Sequence, residues 1–177
     1  YQVLNKAQKK VVNNTLRDFK LSGIALAANE QKRFGEISAR LSELSSQFSN
    51  NVLDATQAFT VNIADETELS GLPESAKEAA KALAVEQKKS GWLFSLDFPS
   101  YLPIMTYCDN RELREKMYTA FATRASDQGP NAGEFDNSKN MLEILNLRHE
   151  LAQLLNFNNY AEMSIETKMA SKTSEVI

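Results

Sequence analysis

A mainly α fold, a helical array with long antiparallel helices and a small two-stranded β ribbon, follows from three features of the sequence. Apolar residues recur at intervals of three and four from Phe34 to Phe59, the spacing of one helical face. The period shortens to two in short segments near residues 59–63 and 92–96, the spacing of half-buried strands. Stretches rich in Pro, Gly, Asn and Asp separate the periodic blocks and supply the turns.

The elements follow in chain order. Leu4, Ala7, Val11, Val12, Leu16 and Phe19 make a first amphipathic helix that begins without an evident cap. Leu21-Ser22-Gly23 closes it, because glycine tolerates the positive φ of a helix end. The run Phe34, Ile37, Leu41, Leu44, Phe48, Val52, Ala55 and Phe59 then forms the apolar stripe of a long helix over 27–58. Arg33, Glu36, Arg40, Glu43 and Gln47 lie between and suit its wet side. Two helices joined by so short a link suggest an antiparallel pair.

Phe59 to Ile63 and Trp92 to Leu96 read as the two strands, the second alternating less strictly. Between them Pro73 opens a third helix that extends to Lys89. Phe98 to Pro103, with two prolines, reads as a rigid elbow. Asp109 as N-cap and Glu112 as its reciprocal partner start a helix that ends near Ala125, with Leu113, Met117 and Phe121 inward. Ser126 to Asn140 is the longest loop. A last strong helix holds Met141, Leu142, Leu145, Ala152 and Leu155, with His149 on the flank of its apolar face.

Size and composition bound the function. A chain of 177 residues can bury a core without disulfides or metal, and 42% hydrophobic with 24% charged residues is ordinary for a globular protein. Lys and Arg number 20 against 23 Asp and Glu, a net charge of −3, so the basic footprint of a nucleic-acid partner is missing. No apolar run is long enough for a membrane span, and the first residues lack a signal-peptide core, so a cytoplasmic setting is expected. The single cysteine, Cys108, permits no internal disulfide.

Catalytic patterns fail for want of partners. A protein zinc site needs three ligands, and the chain has one histidine, His149, and one cysteine. His149-Glu150 begins a His-Glu-x-x-His pattern, but Gln153 stands where the second histidine belongs. His149 therefore reads as a half-buried histidine with a hydrogen-bond partner, and Cys108 as a small apolar core residue rather than a nucleophile served by His149. The acidic clusters Asp65-Glu66 with Glu68, and Glu134 with Asp136, read as solvated loop carboxylates. Arg111, Arg114, Lys116, Tyr118 and Arg124 read as the wet side of one helix rather than an anion or partner surface. No catalytic, cofactor-binding or metal residue is assigned.

Several segments in register resemble one family. They are Leu16 to Ile24, Phe48 to Ala55, Gly91 to Tyr101, Arg111 to Tyr118 with Thr123 to Asp127, and Leu147 to Ala161. Together they are similar to the zinc oligopeptidases related to thimet oligopeptidase, on the bacterial oligopeptidase A branch. The one departure singled out is Asn156, where that family more commonly has glycine; it should alter a helix end and little else.

The resemblance implies cytoplasmic metalloendopeptidases that cleave short peptides with one zinc, held by a two-histidine helix motif and a later Glu. Residues 1–177 would then be the N-terminal helical region of a larger metallopeptidase, walling one side of a substrate channel. Zinc and the catalytic residues would lie outside it, the isolated chain would be inactive, and its partners would be the catalytic domain of the same polypeptide and short peptides, with no nucleic acid and no membrane. The cut first turn at Thr173 to Ile177 fits a longer chain. The alternative is a helical interaction module, with Phe34, Ile37, Leu41, Leu44 and Phe48 as a coiled-coil seam and Asn51 setting its register.

Overall fold

A computed structural model describes residues 3–176. Helices α1 (Lys6–Leu21) and α2 (Ala28–Ala58) come first, followed by strand β1 (Thr60–Ile63), α3 (Glu74–Glu86) and β2 (Trp92–Ser95). Helices α4 (Phe98–Tyr107), α5 (Arg111–Ala122), α6 (Ser138–Leu154) and α7 (Tyr160–Ile165) complete the order, with short 3-10 turns at Glu66–Leu69 and Thr173–Glu175. The chain divides into two compact regions, one of residues 46–140 and one of residues 1–45 with 141–177.

In the region of residues 46–140, β1 and β2 pair antiparallel, with Val61 opposite Phe94 and Ile63 opposite Trp92. Val61 and Ile63 are buried while Asn62 is exposed, which is the alternation read in the sequence. In β2, Leu93, Phe94 and Ser95 are all buried. The strict period fails there because α3 covers the second face, and Ala80, Leu83 and Leu93 line one small cavity. Gly91 has φ of +84°, and a Cβ there would meet the Ile63 carbonyl oxygen at 2.1 Å, so only glycine fits this entry to the ribbon. The core joins Phe59, Val61, Leu69, Phe94, Leu96, Ile104, Leu113 and Met117.

Four boundaries in this region depart from expectation. Pro73 is the N-cap of α3 rather than its first residue, and α3 ends at Glu86, where Lys88 takes φ of +57° and the Lys89 N–H returns to the Ala84 carbonyl. The expected elbow at Phe98–Pro103 is the start of α4. Pro99 sits in its first turn, where no N–H is required, and Pro103 costs one internal bond while Tyr101 and Ile104 are buried. Burial outweighs that loss. The N-cap of α5 is Asn110, which accepts from the Leu113 N–H at 3.1 Å. Asp109 instead accepts from the Ser70 hydroxyl at 2.8 Å.

The other region is built differently. Helix α1 does have a cap: Asn5 and Gln8 form a reciprocal capping box, an Asn version of a motif usually sought as Ser or Thr. Gly23 follows the helix end with φ of +75°. The stripe on α2 is as read, with Ile37 and Leu44 fully buried and Arg33, Glu36 and Glu43 exposed. Helix α2 finds its antiparallel partner in α6, far along the chain. Arg33 donates to both Glu150 oxygens at 2.6 and 2.8 Å, and Arg40 to both Glu143 oxygens at 2.6 and 2.9 Å.

Helix α6 corrects the sequence reading. Met141, Leu142 and Leu145 are exposed, whereas Ile144, Ala152 and Leu155 are buried. The helix has apolar residues on more than one face, and position alone did not say which face turns inward. Asn156 takes φ of +62° just beyond α6, and the Phe157 N–H donates to the Ala152 carbonyl at 2.9 Å. This closes a Schellman turn that asparagine tolerates better than most residues, so the departure at Asn156 does fall on a helix end.

Candidate functional site

Most of the side chains that could carry chemistry, His149 and Glu134 apart, are engaged in holding the fold. His149 is exposed on α6, not half-buried with a partner as expected, because it lies on the outward side with Leu142 and Leu145. Its neighbour Glu150 is taken up by Arg33, whose donation holds the carboxyl below the usual range. Gln153 donates to the Phe157 and Asn158 carbonyls at 3.1 and 2.9 Å. Cys108 is buried, with Sγ 3.6 Å from the Glu68 carbonyl oxygen that accepts from it.

The acidic clusters act as local caps. Asp65 accepts from the Thr67 N–H at 2.9 Å, which lowers its pKa. Glu66 pairs with Lys77 at 3.1 Å. Asp136 accepts from the Ser138 hydroxyl at 2.6 Å and its N–H at 2.8 Å at the start of α6; the hydroxyl is the larger cause of its lowered pKa. Glu134 is exposed. Among the described residues no group of three or more His, Cys, Asp or Glu is placed to hold a metal ion.

The basic and aromatic set divides. Arg111, Lys116 and Tyr118 are exposed, as the wet side of α5 should be. Arg114 and Arg124 are instead turned into the fold. Arg114 donates to the Cys108 carbonyl, closing the turn between α4 and α5. Arg124 donates to the Phe121 carbonyl and the Thr56 hydroxyl, each at 3.0 Å, and its guanidinium lies 3.7 Å from the centre of the Phe121 ring. On Phe121 stacks Tyr101, with ring centres 4.1 Å apart and an interplanar angle of 13°. Burial raises the Tyr101 phenol pKa, with Tyr118 nearby adding to the effect. The result is a stack of Tyr101, Phe121 and Arg124 in which the guanidinium also gives two hydrogen bonds to the protein itself.

Two polar constellations were not singled out in the sequence. Asn137, only 1% exposed, donates to the Phe48 carbonyl at 3.1 Å and accepts from the amides of Asn51 and Asn140 at 2.9 and 3.1 Å. It ties the end of the long loop to α2. The loop also closes on itself, with the Gly133 N–H on the Ser126 carbonyl and the Asn137 N–H on the Ala125 carbonyl. The second constellation is the ladder of Arg33, Glu36 and Glu150 followed by Arg40, Glu43 and Glu143. A signal for it existed: all three pairs of positions, Arg33 and Arg40, Glu36 and Glu43, Glu143 and Glu150, are seven residues apart, about two helical turns.

Comparison with known proteins decides the family. Residues 104–177 match the model of peptidase family M3. The whole chain is 63% identical over 177 residues to oligopeptidase A of Escherichia coli and, equally, of Salmonella typhimurium. The chain belongs to peptidase family M3. It is also 42% identical over 175 residues to a probable cytosolic oligopeptidase A of Arabidopsis thaliana, covering 95% of this chain. The match spans 100% of this chain but 26% of the bacterial relatives' length and 24% of the plant one, so the chain corresponds to about a quarter of an M3 peptidase. No helix among the described residues is long and apolar enough to cross a membrane.

Proposed function

We propose that this chain is the N-terminal helical region of a zinc-dependent oligopeptidase that hydrolyses short peptides in the cytoplasm, and that it walls one side of the substrate channel. The observation that carries this reading is the 63% identity along all 177 residues to proteins named oligopeptidase A, which are nearly four times as long. Its role is to shape and support, while catalysis and metal binding belong to residues elsewhere in the polypeptide.

The described residues do not fit a zinc ion. His149 is exposed without metal-binding neighbours, Cys108 is buried on a backbone carbonyl, and Glu150 is committed to Arg33. No step of peptide hydrolysis is therefore placed on this chain. Its partners are the catalytic domain of the same polypeptide and the short peptides that pass it.

The alternative, a coiled-coil interaction module, needs the α2 seam to be free. Ile37 and Leu44 are fully buried within the chain, and Asn51 gives its amide to Asn137 rather than to a second helix. The seam is already occupied.

Cleavage of a quenched fluorescent peptide tests the proposal. The complete polypeptide should cleave it, lose the activity to a chelator and regain it with zinc, while the 177-residue chain should show no turnover. Zinc-dependent turnover by the purified chain, with one tightly bound zinc, would falsify the assignment.

A further inference from the structure

We draw no further inference here: the strongest candidate, the cleft lined by Ala80 and Leu83 of α3, Leu93 and Ser95 of β2, and Asp97 and Ser100 at the start of α4, has its polar groups hydrogen-bonded to one another, and nothing in the structure shows what occupies it.

Discussion

The two compact regions are held together by different means. Residues 46–140 close around a continuous apolar core in which Phe94, Leu69, Ile104 and Met117 have 2% exposure or less. Residues 1–45 with 141–177 include Ile37 and Leu44, but α1 buries none of its residues, although Val11, Leu16 and Phe19 give it an apolar side. That region relies on two rungs of Arg–Glu pairs, a capping box, and contacts such as Lys20 over Phe157 and Arg17 on the Glu166 carbonyl. The first region gathers most of its apolar side chains into one core, although Leu53, Val85, Phe98 and Leu102 remain exposed. The second has a smaller core and leaves Val11, Leu16 and Phe19 of α1 and Leu142 and Leu145 of α6 exposed.

Core truncations give the largest test of this contrast. Phe94→Ala should cost about 3–5 kcal/mol, because a large ring leaves a cavity in a closed core. Leu44→Ala should cost about 2–5 kcal/mol. We expect it at the lower end, since fewer buried neighbours surround it. Urea denaturation of both variants would measure this, and a Leu44 cost above that of Phe94 would reverse the ranking of the two regions.

A smaller effect is expected at the asparagine network. Asn137→Ala would strand the Asn51 and Asn140 amides and remove the second donor on the Phe48 carbonyl, at a cost of about 1–3 kcal/mol. Faster amide exchange should appear around residues 125–137 in particular. A neutral substitution would show that water replaces the lost partners without penalty.

The ion-pair ladder should have the smallest effect, visible mainly as a pH dependence. Arg40 and Arg33 hold the Glu143 and Glu150 carboxyls below their ordinary value of 4.5. A carboxylate favoured in the folded state stabilises it above that ordinary value and loses the contribution as the pH falls through the lowered one. The region should therefore weaken below about pH 4.5 as the two carboxyls protonate. Glu143→Gln with Glu150→Gln should flatten the melting temperature between pH 5 and pH 3. Both pairs face solvent, so the change should be modest and should shrink in high salt. An acid limb of the same slope in the double variant would assign the loss to other groups.

How far the sequence could be read depends on what kind of interaction decides each feature. The α2 stripe and the β1 alternation were legible because a single buried face imposes one period on the chain. Helix α4 was hidden because two prolines outweigh a ten-residue apolar segment in any local reading, while the burial of Tyr101 and Ile104 decides the fold. The outward side of α6 was misread for a related reason: two apolar faces give no vector. Arg114 and Arg124 looked like solvated charges because their acceptors, the Cys108 and Phe121 carbonyls and the Thr56 hydroxyl, are defined only once the turns and α2 are in place. Counting ligands bears only on a zinc site; the structure adds that Cys108 is buried on the Glu68 carbonyl, that Asp65 and Asp136 cap local turns, and that His149 stands exposed.

By itself the sequence determined the helix periods, the ribbon, the end of α1 at Gly23 and the kinship with M3 peptidases, since each is written in local spacing or in residue identity. Tertiary structure alone decided that α2 pairs with α6 through Arg33 and Arg40, that Asn137 gathers Phe48, Asn51 and Asn140, and which side of α6 is left outward. These depend on groups dozens of residues apart meeting at hydrogen-bond distance, and no local pattern carries that distance.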